Sequence, residues 1–221
     1  MVSIFYIGNI MFPENYSELY ARYVQSTRLL TELEFECLIK PGLRVLDVGA
    51  GRDLRASRWM IEHGVNNITA VDPCLVDCDV DVDIKKMTLS QYWLQYWNST
   101  HSFDLIVCQQ GVNYWFDSEH VNIVCDLLDM GGKFVFDTFN TKPDSVPQFR
   151  SYEFGGRQYG EAYQLVGDTV HHWQMCDGLI PHYSCFRWIE SEEFESELKR
   201  WFSGITRKRF DKTDIYICSK D

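Results

Sequence analysis

Along the chain, apolar positions first recur at helical spacing and then gather into short unbroken runs. "PENYSELYARYVQSTRLLTELEFECLI" (Pro13 to Ile39) has few breakers and sets Leu19, Tyr23, Leu29, Leu30, Leu33 and Leu38 near a helical period. This predicts one or two leading helices ended by Pro41-Gly42. "LRVLDVG" (Leu43 to Gly49) and "NITAVD" (Asn67 to Asp72) are nearly continuous apolar runs, the pattern of parallel strands covered on both faces. "RASRWMIEHG" between them predicts the crossover helix, closed by Gly64. "FDLIVCQQ" (Phe103 to Gln110) and "GKFVFDTFN" (Gly132 to Asn140) repeat the strand signal around "DSEHVNIVCDLLDMGG", a helix with an Asp/Ser start and a glycine stop. Upstream, "SQYWLQYW" (Ser90 to Trp97) predicts a short helix capped by Ser90.

From about Ser151 the period changes. Short strand-like runs are punctuated by Gly155-Gly156, Gly167-Asp168 and Asp177-Gly178, the mark of an antiparallel meander. In "DTVHHWQMC" alternation sends His171 and His172 to opposite faces, and the more apolar set His171, Trp173 and Met175 is expected to pack toward the interior or the cavity. "SEEFESELKRWF" (Ser191 to Phe202) returns to helical spacing, and "ITRKRFDKTDIYICSK" (Ile205 to Lys220) reads as a closing hairpin turning at Asp211-Lys212-Thr213. The organisation is a single α/β domain over residues 1–221. It divides into leading helices (1–40), a βαβ core (41–140), an antiparallel insertion expected to cover the strand ends (151–188), and a closing helix and hairpin (189–221).

Charge and cysteine usage narrow the partners. A net charge of −11 sets the average field against a nucleic-acid backbone, and the one basic run, Arg207 to Arg209, is expected to face solvent. Eight irregularly spaced cysteines in a chain able to bury a sizeable core do not form a disulfide framework, so a reducing, cytoplasmic setting is expected. Cys74 and Cys78 in "CLVDC" lack further ligands at matching spacing, and no metal is expected. "MVSIFYIGNIMF" has no basic n-region or cleavage site, and no run approaches ~18 apolar residues, so neither export nor membrane spanning is expected.

Candidate chemistry centres on "VLDVGAGRDLRAS" (Val45 to Ser57), where a strand passes through two glycines into a helix. Asp72 ends the second strand 21 residues after Gly51, a spacing at which a carboxylate reaches the hydroxyls of an adenosine ribose. The dinucleotide pattern G-x-G-x-x-G would place glycine at position 54, where the chain has Leu54. Asp47 and Asp53 flank the turn, and a carboxylate about 5 Å from a phosphate would cost about 3 kcal/mol at an effective dielectric near 20. The same carboxylates suit a cofactor carrying an ammonium and a sulfonium.

At Asp47, Gly49 and Gly51 the sequence resembles the class I S-adenosylmethionine-dependent methyltransferases, and the resemblance extends over about Leu43 to Asn140. It implies a Rossmann-like, doubly wound, mostly parallel seven-stranded sheet with an antiparallel last strand, here with an antiparallel insertion. It also implies that Gly49, Ala50 and Gly51 pass beside the methionine part, that Asp72 and Pro73 border the ribose, and that Asp83 and Ile84 meet the adenine. Gln109 and Gln110, in the loop Cys108 to Gly111, would lie under the methionine. Asp53 stands where many members have a third glycine, and Asp72 and Asp83 are too close for the usual crossover helix. Either that helix is lost or "DVDVDI" is an edge segment, with Asp81 the substitute for Asp83.

Around this cradle, Tyr114 and Trp115 follow the fourth strand, where a ring could hold an acceptor against the methyl group. His171 is the candidate base, needed only if the acceptor is protonated at working pH. Arg187 could clamp a carboxylate, or pair with Glu190 or Glu192 at the surface. Tyr20 and Tyr23 share a face of the leading helix; the resemblance implies that such a segment covers the cofactor, with the two rings as candidate substrate contacts, and the alternative is plain core packing. The function expected is methyl transfer to a small molecule. The competing readings are an NAD-dependent oxidoreductase, a non-catalytic partner subunit, and a methyltransferase acting on a macromolecule.

Overall fold

The computed structural model describes residues 28–75, 79–97, 102–154, 156–178 and 181–221. Of the leading helices, α1 (Arg28–Phe35) falls within them, whereas Leu19, Tyr20 and Tyr23 lie outside. α1 ends before Pro41-Gly42. Cys37 adopts a left-handed conformation (φ 52°) and the Leu38 N–H returns to the Leu33 carbonyl at 2.9 Å, a Schellman-type stop made without glycine.

The core alternates as its apolar runs require: β1 (Arg44–Val48), α2 (Arg55–Glu62), β2 (Asn67–Val71), β3 (Asp83–Lys85), α3 (Leu89–Tyr96), β4 (Phe103–Cys108), α4 (Ser118–Leu127) and β5 (Leu128–Phe139). After the insertion come α5 (Ser191–Leu198), β10 (Gly204–Arg209) and β11 (Thr213–Ser219). The seven strands run in the order β10-β11-β5-β4-β1-β2-β3, and β11 is antiparallel to both of its neighbours. Alternate residues of each buried strand serve the two faces. Val45, Leu105, Val107 and Val135 pack with Leu29, Leu33 and Met60 of α1 and α2, while Leu46, Ile106, Phe134 and Phe136 pack with Val121, Val124, Phe194 and Leu198 of α4 and α5.

Of the two options the edge segment holds: only Asp83 and Ile84 of "DVDVDI" enter β3, which pairs parallel to β2 with Ile84 opposite Ala70, and no helix intervenes among the described residues. Two helix signals are corrected. Thr88, not Ser90, caps α3, in a reciprocal capping box with Gln91, and Ser90 inside the helix instead meets His120 Nε2 at 3.0 Å. Asp117 caps α4, but Gly131-Gly132 do not stop it; they form an irregularity in β5, where a Cβ on Gly132 would lie 2.8 Å from the Asp129 carbonyl oxygen. The basic run is also ion-paired: Arg207 with Glu195 and Asp214, Lys208 with Glu32 and Glu36, and Arg209, its side chain exposed, with Asp214, so these charges are held by the protein's own carboxylates.

The chain separates into two compact units, one of residues 28–142 and 187–221, the other of 143–186. The second is the expected meander, a four-stranded antiparallel sheet β6 (Gln148–Phe154), β7 (Arg157–Val166), β8 (Thr169–Cys176) and β9 (His182–Arg187). It starts a few residues before Ser151, and Gly156, Gly167 and Gly178 take positive φ at its turns. The more apolar set does not take the buried face. Val170, His172, Gln174 and Cys176 are buried, while Trp173 and Met175 are 36% and 50% exposed. The rings on the exposed face shelter one another: Trp173 lies 5.5 Å from Tyr183, whose hydroxyl is 2.6 Å from His171 Nδ1. Mutual packing of this kind removes the need to bury the apolar set inward.

Candidate active site

The loops after β1, β2 and β4 and the end of β5 converge at the carboxyl ends of the parallel strands, where ligands of open α/β sheets bind. β1 delivers Asp47, 1% exposed, whose Oδ2 accepts the Ser57 N–H at 3.1 Å and the Ser57 hydroxyl at 2.6 Å. Burial pushes its carboxyl up to about 6, with Asp72 and Asp53 adding to the effect. The chain then turns on Gly49 (φ 68°) and Gly51 (φ 67°), conformations that a side chain would strain. Ala50 sits between them.

Asp72 closes the turn from β2. Its Oδ2 accepts the Gly51 N–H at 3.2 Å and its Oδ1 the Cys74 N–H at 2.7 Å, so the carboxylate is fixed against the glycine loop with lone pairs to spare. Burial raises its pKa as well. Pro73 follows within the same turn. Asp83 opens β3, paired with Lys85 at 2.8 Å and 58% exposed at the side chain, and Ile84 packs with Leu54, Ala70 and Leu75.

The loop after β4 approaches the first: a Cβ on Gly49 would lie 3.8 Å from Gly111 Cα and 3.9 Å from Cys108 Sγ. Gln110 is left-handed (φ 57°), and its N–H donates to Asp137 Oδ1 at 2.6 Å. Asp137, on β5, is buried and pushed up to about 6 by that burial. Gln109 precedes it. Next door, Thr138 donates to Asn113 Oδ1 at 2.9 Å.

Ser57, Asp137 and Asn113 escaped the sequence reading. The signal for Asp137 was present as a lone carboxylate inside the apolar run "FVFDTF". Tyr114 ends a 3-10 turn (Val112–Tyr114) and is half-buried, whereas Trp115 packs into the core beside Phe134, at 6.3 Å, and His120, at 5.8 Å. Arg187 is ion-paired to Glu193 at 2.6 Å rather than to Glu190, which Lys142 holds, or to Glu192. His171 belongs to the meander's exposed face, and Tyr20 and Tyr23 are outside the described residues. A 240 Å³ depression lined by Cys37, Lys40, Asp104 and Lys133 lies at the opposite, amino-terminal ends of β1 and β4, away from Asp47, Asp72 and the Gly49 to Gly51 loop.

No family model matches the chain, and no curated protein matches it in sequence. Solved structures do match in shape. A S-adenosylmethionine-dependent methyltransferase from Clostridium acetobutylicum superposes with a TM-score of 0.70 at 17% identity, covering 93% of this chain and 98% of that one. An amino pentose methyltransferase of calicheamicin biosynthesis from Micromonospora echinaspora gives 0.70 at 11% identity, over 91% and 95%. The magnesium protoporphyrin IX methyltransferase of Synechocystis gives 0.54 at 13%, over 95% and 93%. The chain therefore has the fold of the S-adenosylmethionine-dependent methyltransferases.

Proposed function

We propose that the chain is a S-adenosylmethionine-dependent methyltransferase acting on a small molecule. The observation that carries this reading is the Asp72 carboxylate, anchored by the Gly51 and Cys74 N–H groups beside two positive-φ glycines. The residues fit the cofactor: Asp72 offers acceptors to a ribose, Asp47 supplies negative charge to a cationic methionine part, and Gly49 to Gly51 present bare backbone. Gln109 and Gln110 would border the methionine part, Asp83 and Ile84 the adenine. When bound, this cofactor supplies a methyl group on a sulfonium.

The protein's own work is to position and to exclude water. Gln110, held by Asp137, fixes the loop between the two ligands. Tyr114, just after β4, is the candidate contact for the acceptor. A dinucleotide fits poorly, because Leu54 is fully buried in a left-handed conformation (φ 50°) at the start of α2, where a pyrophosphate would need bare backbone. Small-molecule acceptors are named for two of the neighbours, amino pentose and magnesium protoporphyrin IX.

Calorimetry with S-adenosylmethionine, S-adenosylhomocysteine and NAD tests the cofactor. Micromolar binding of the first two without NAD is expected, and tight NAD binding with no response to S-adenosylmethionine refutes the reading. Incubation with methyl-labelled cofactor and a cell extract, followed by mass spectrometry, then separates small-molecule from polymer acceptors.

A further inference from the structure

Away from the glycine loop, a serine, a histidine and an aspartate are joined in series where α3 meets α4. Ser90 Oγ lies 3.0 Å from His120 Nε2, and His120 Nδ1 lies 2.8 Å from Asp117 Oδ1. A carboxylate only accepts, so Nδ1 carries the ring proton and donates it to Asp117. Nε2 is then the acceptor for the Ser90 hydroxyl. This is the order of a nucleophile, its base and the group that orients the base.

The start of α4 sets that order. Asp117 Oδ1 also accepts the His120 N–H at 2.8 Å as the helix cap, so one carboxylate begins the helix and aims the ring. The ring stands beside Trp115, 5.8 Å between centroids. None of the three groups is sealed from solvent: Ser90 is half-buried, and the side chains of His120 and Asp117 are 19% and 49% exposed. Two features of α3 add what a nucleophile alone lacks. Ser90 lies in its first turn, where N–H groups have no acceptor within the helix and can receive an oxyanion. Trp93, Leu94 and Trp97 follow Ser90 at helical spacing on one face. Leu94 and Trp97 are 66% and 58% exposed, so an apolar strip runs from the hydroxyl along the helix.

We propose that Ser90, His120 and Asp117 form a second active site, which hydrolyses small carboxylic esters with an apolar acyl group. Ser90 Oγ bonds to the carbonyl carbon as its proton passes to His120 Nε2. Collapse of the adduct breaks the C–O bond to the alcohol, which leaves with that proton. Water then gives a proton to His120 and its oxygen to the acyl carbon, and the acid departs as Ser90 recovers the proton. The net change is ester plus water to acid plus alcohol, with no further reagent. Ser90 and His120 are the catalytic residues, Asp117 is the positioning residue, and the acyl group lies along Trp93 and Leu94. The methyltransferase reading does not enter.

The test is hydrolysis of p-nitrophenyl acetate and p-nitrophenyl hexanoate by the full chain. It is paired with labelling by a fluorophosphonate, which loses fluoride to an activated serine, located by peptide mass spectrometry. Saturable hydrolysis, a higher kcat/KM for the hexanoate and label on Ser90 are expected. Ser90→Ala and His120→Gln should each lower kcat/KM about 100-fold, while Ser203→Ala, at an exposed serine outside the site, leaves it unchanged. Asp117→Asn keeps a cap for α4, so kcat should fall about tenfold or more with KM within about twofold and the melting temperature unchanged. An Asp117 that served only as a cap would leave kcat where it was. Hydrolysis no faster than buffer, label confined to other residues, no preference for the hexanoate, or full activity in Ser90→Ala overturns the proposal. Should His120→Gln not fold, Ser90→Ala decides, since alanine is favourable in a helix.

Discussion

Replacing Asp47 by Asn should stabilise the ligand-free protein at neutral pH and weaken cofactor binding, two effects of opposite sign from one charge. Asp47 Oδ2 is bonded to Ser57, but Oδ1 is buried with no partner among the described residues. Its carboxyl rises from an ordinary 3.8 to about 6 because burial penalises the ion. A folded-state value above the unfolded one means that the native state binds more protons between those limits. Stability therefore falls as pH climbs from about 4 to 6, and the full cost of about 3 kcal/mol is present above that window. Asn keeps the acceptor for Ser57 and never ionises. Its buried nitrogen brings a penalty of about 1 to 3 kcal/mol that does not depend on pH. The net gain at pH 8 is thus about 0 to 2 kcal/mol, whereas the excess of that gain at pH 8 over pH 5 is about 1 to 2 kcal/mol whatever the penalty. Urea unfolding of both proteins at pH 5, 6.5 and 8 measures it, and a melting shift of about 2 to 4 °C per kcal/mol should follow. A gain that does not change with pH would refute a buried, ionised Asp47.

Asp72→Ala should weaken S-adenosylmethionine by about 1.5 to 3 kcal/mol, about 10- to 150-fold, by removing a charged acceptor while the fold persists; calorimetry showing unchanged affinity would place the ribose elsewhere. Thr88→Ala, which breaks the capping box of α3, should cost about 1 kcal/mol in chemical denaturation and leave cofactor affinity unchanged. Titration against duplex and single strands at about 50 mM salt should show no submicromolar binding, because the basic run is already paired with Glu32, Glu36, Glu195 and Asp214.

The seven-stranded sheet was legible because strands buried on both faces must be apolar throughout, and "LRVLDVG", "NITAVD" and "FDLIVCQQ" are. The meeting of Asp72 with the Gly51 loop was legible from the 21-residue spacing. What failed were places where polarity does not decide burial. The outward turn of His171, Trp173 and Met175 follows from rings that cover each other across β8 and β9, a cross-strand effect that a single strand's pattern does not carry. Gly131-Gly132 looks like a helix stop, yet its role is set by the backbone of β4, which comes within 3.0 Å of a Cβ at Gly132. Ser57 was invisible for a related reason, since its role is to hold Asp47, ten residues earlier, once α2 folds back over β1.

Two buried carboxylates, Asp47 and Asp137, and the half-buried Asp72 gather at the carboxyl ends of β1, β5 and β2, and desolvation raises the pKa of each. A chain selected only for stability would neutralise such positions, since an apolar replacement of similar volume is often neutral or better. Their backbone and hydroxyl donors, from Ser57, Gly51, Cys74 and Gln110, reduce the cost without removing it. The charges divide by what they touch. Asp137 acts within the protein, holding Gln110 left-handed, while Asp72 is tied to the glycine loop and Asp47 keeps an oxygen without a partner. A cationic ligand at that loop would recover the electrostatic cost of Asp47 and Asp72 together, whereas a pyrophosphate would increase it. The destabilisation expected of Asp47 in the free protein and the affinity expected of it in the complex are then one quantity seen from two states.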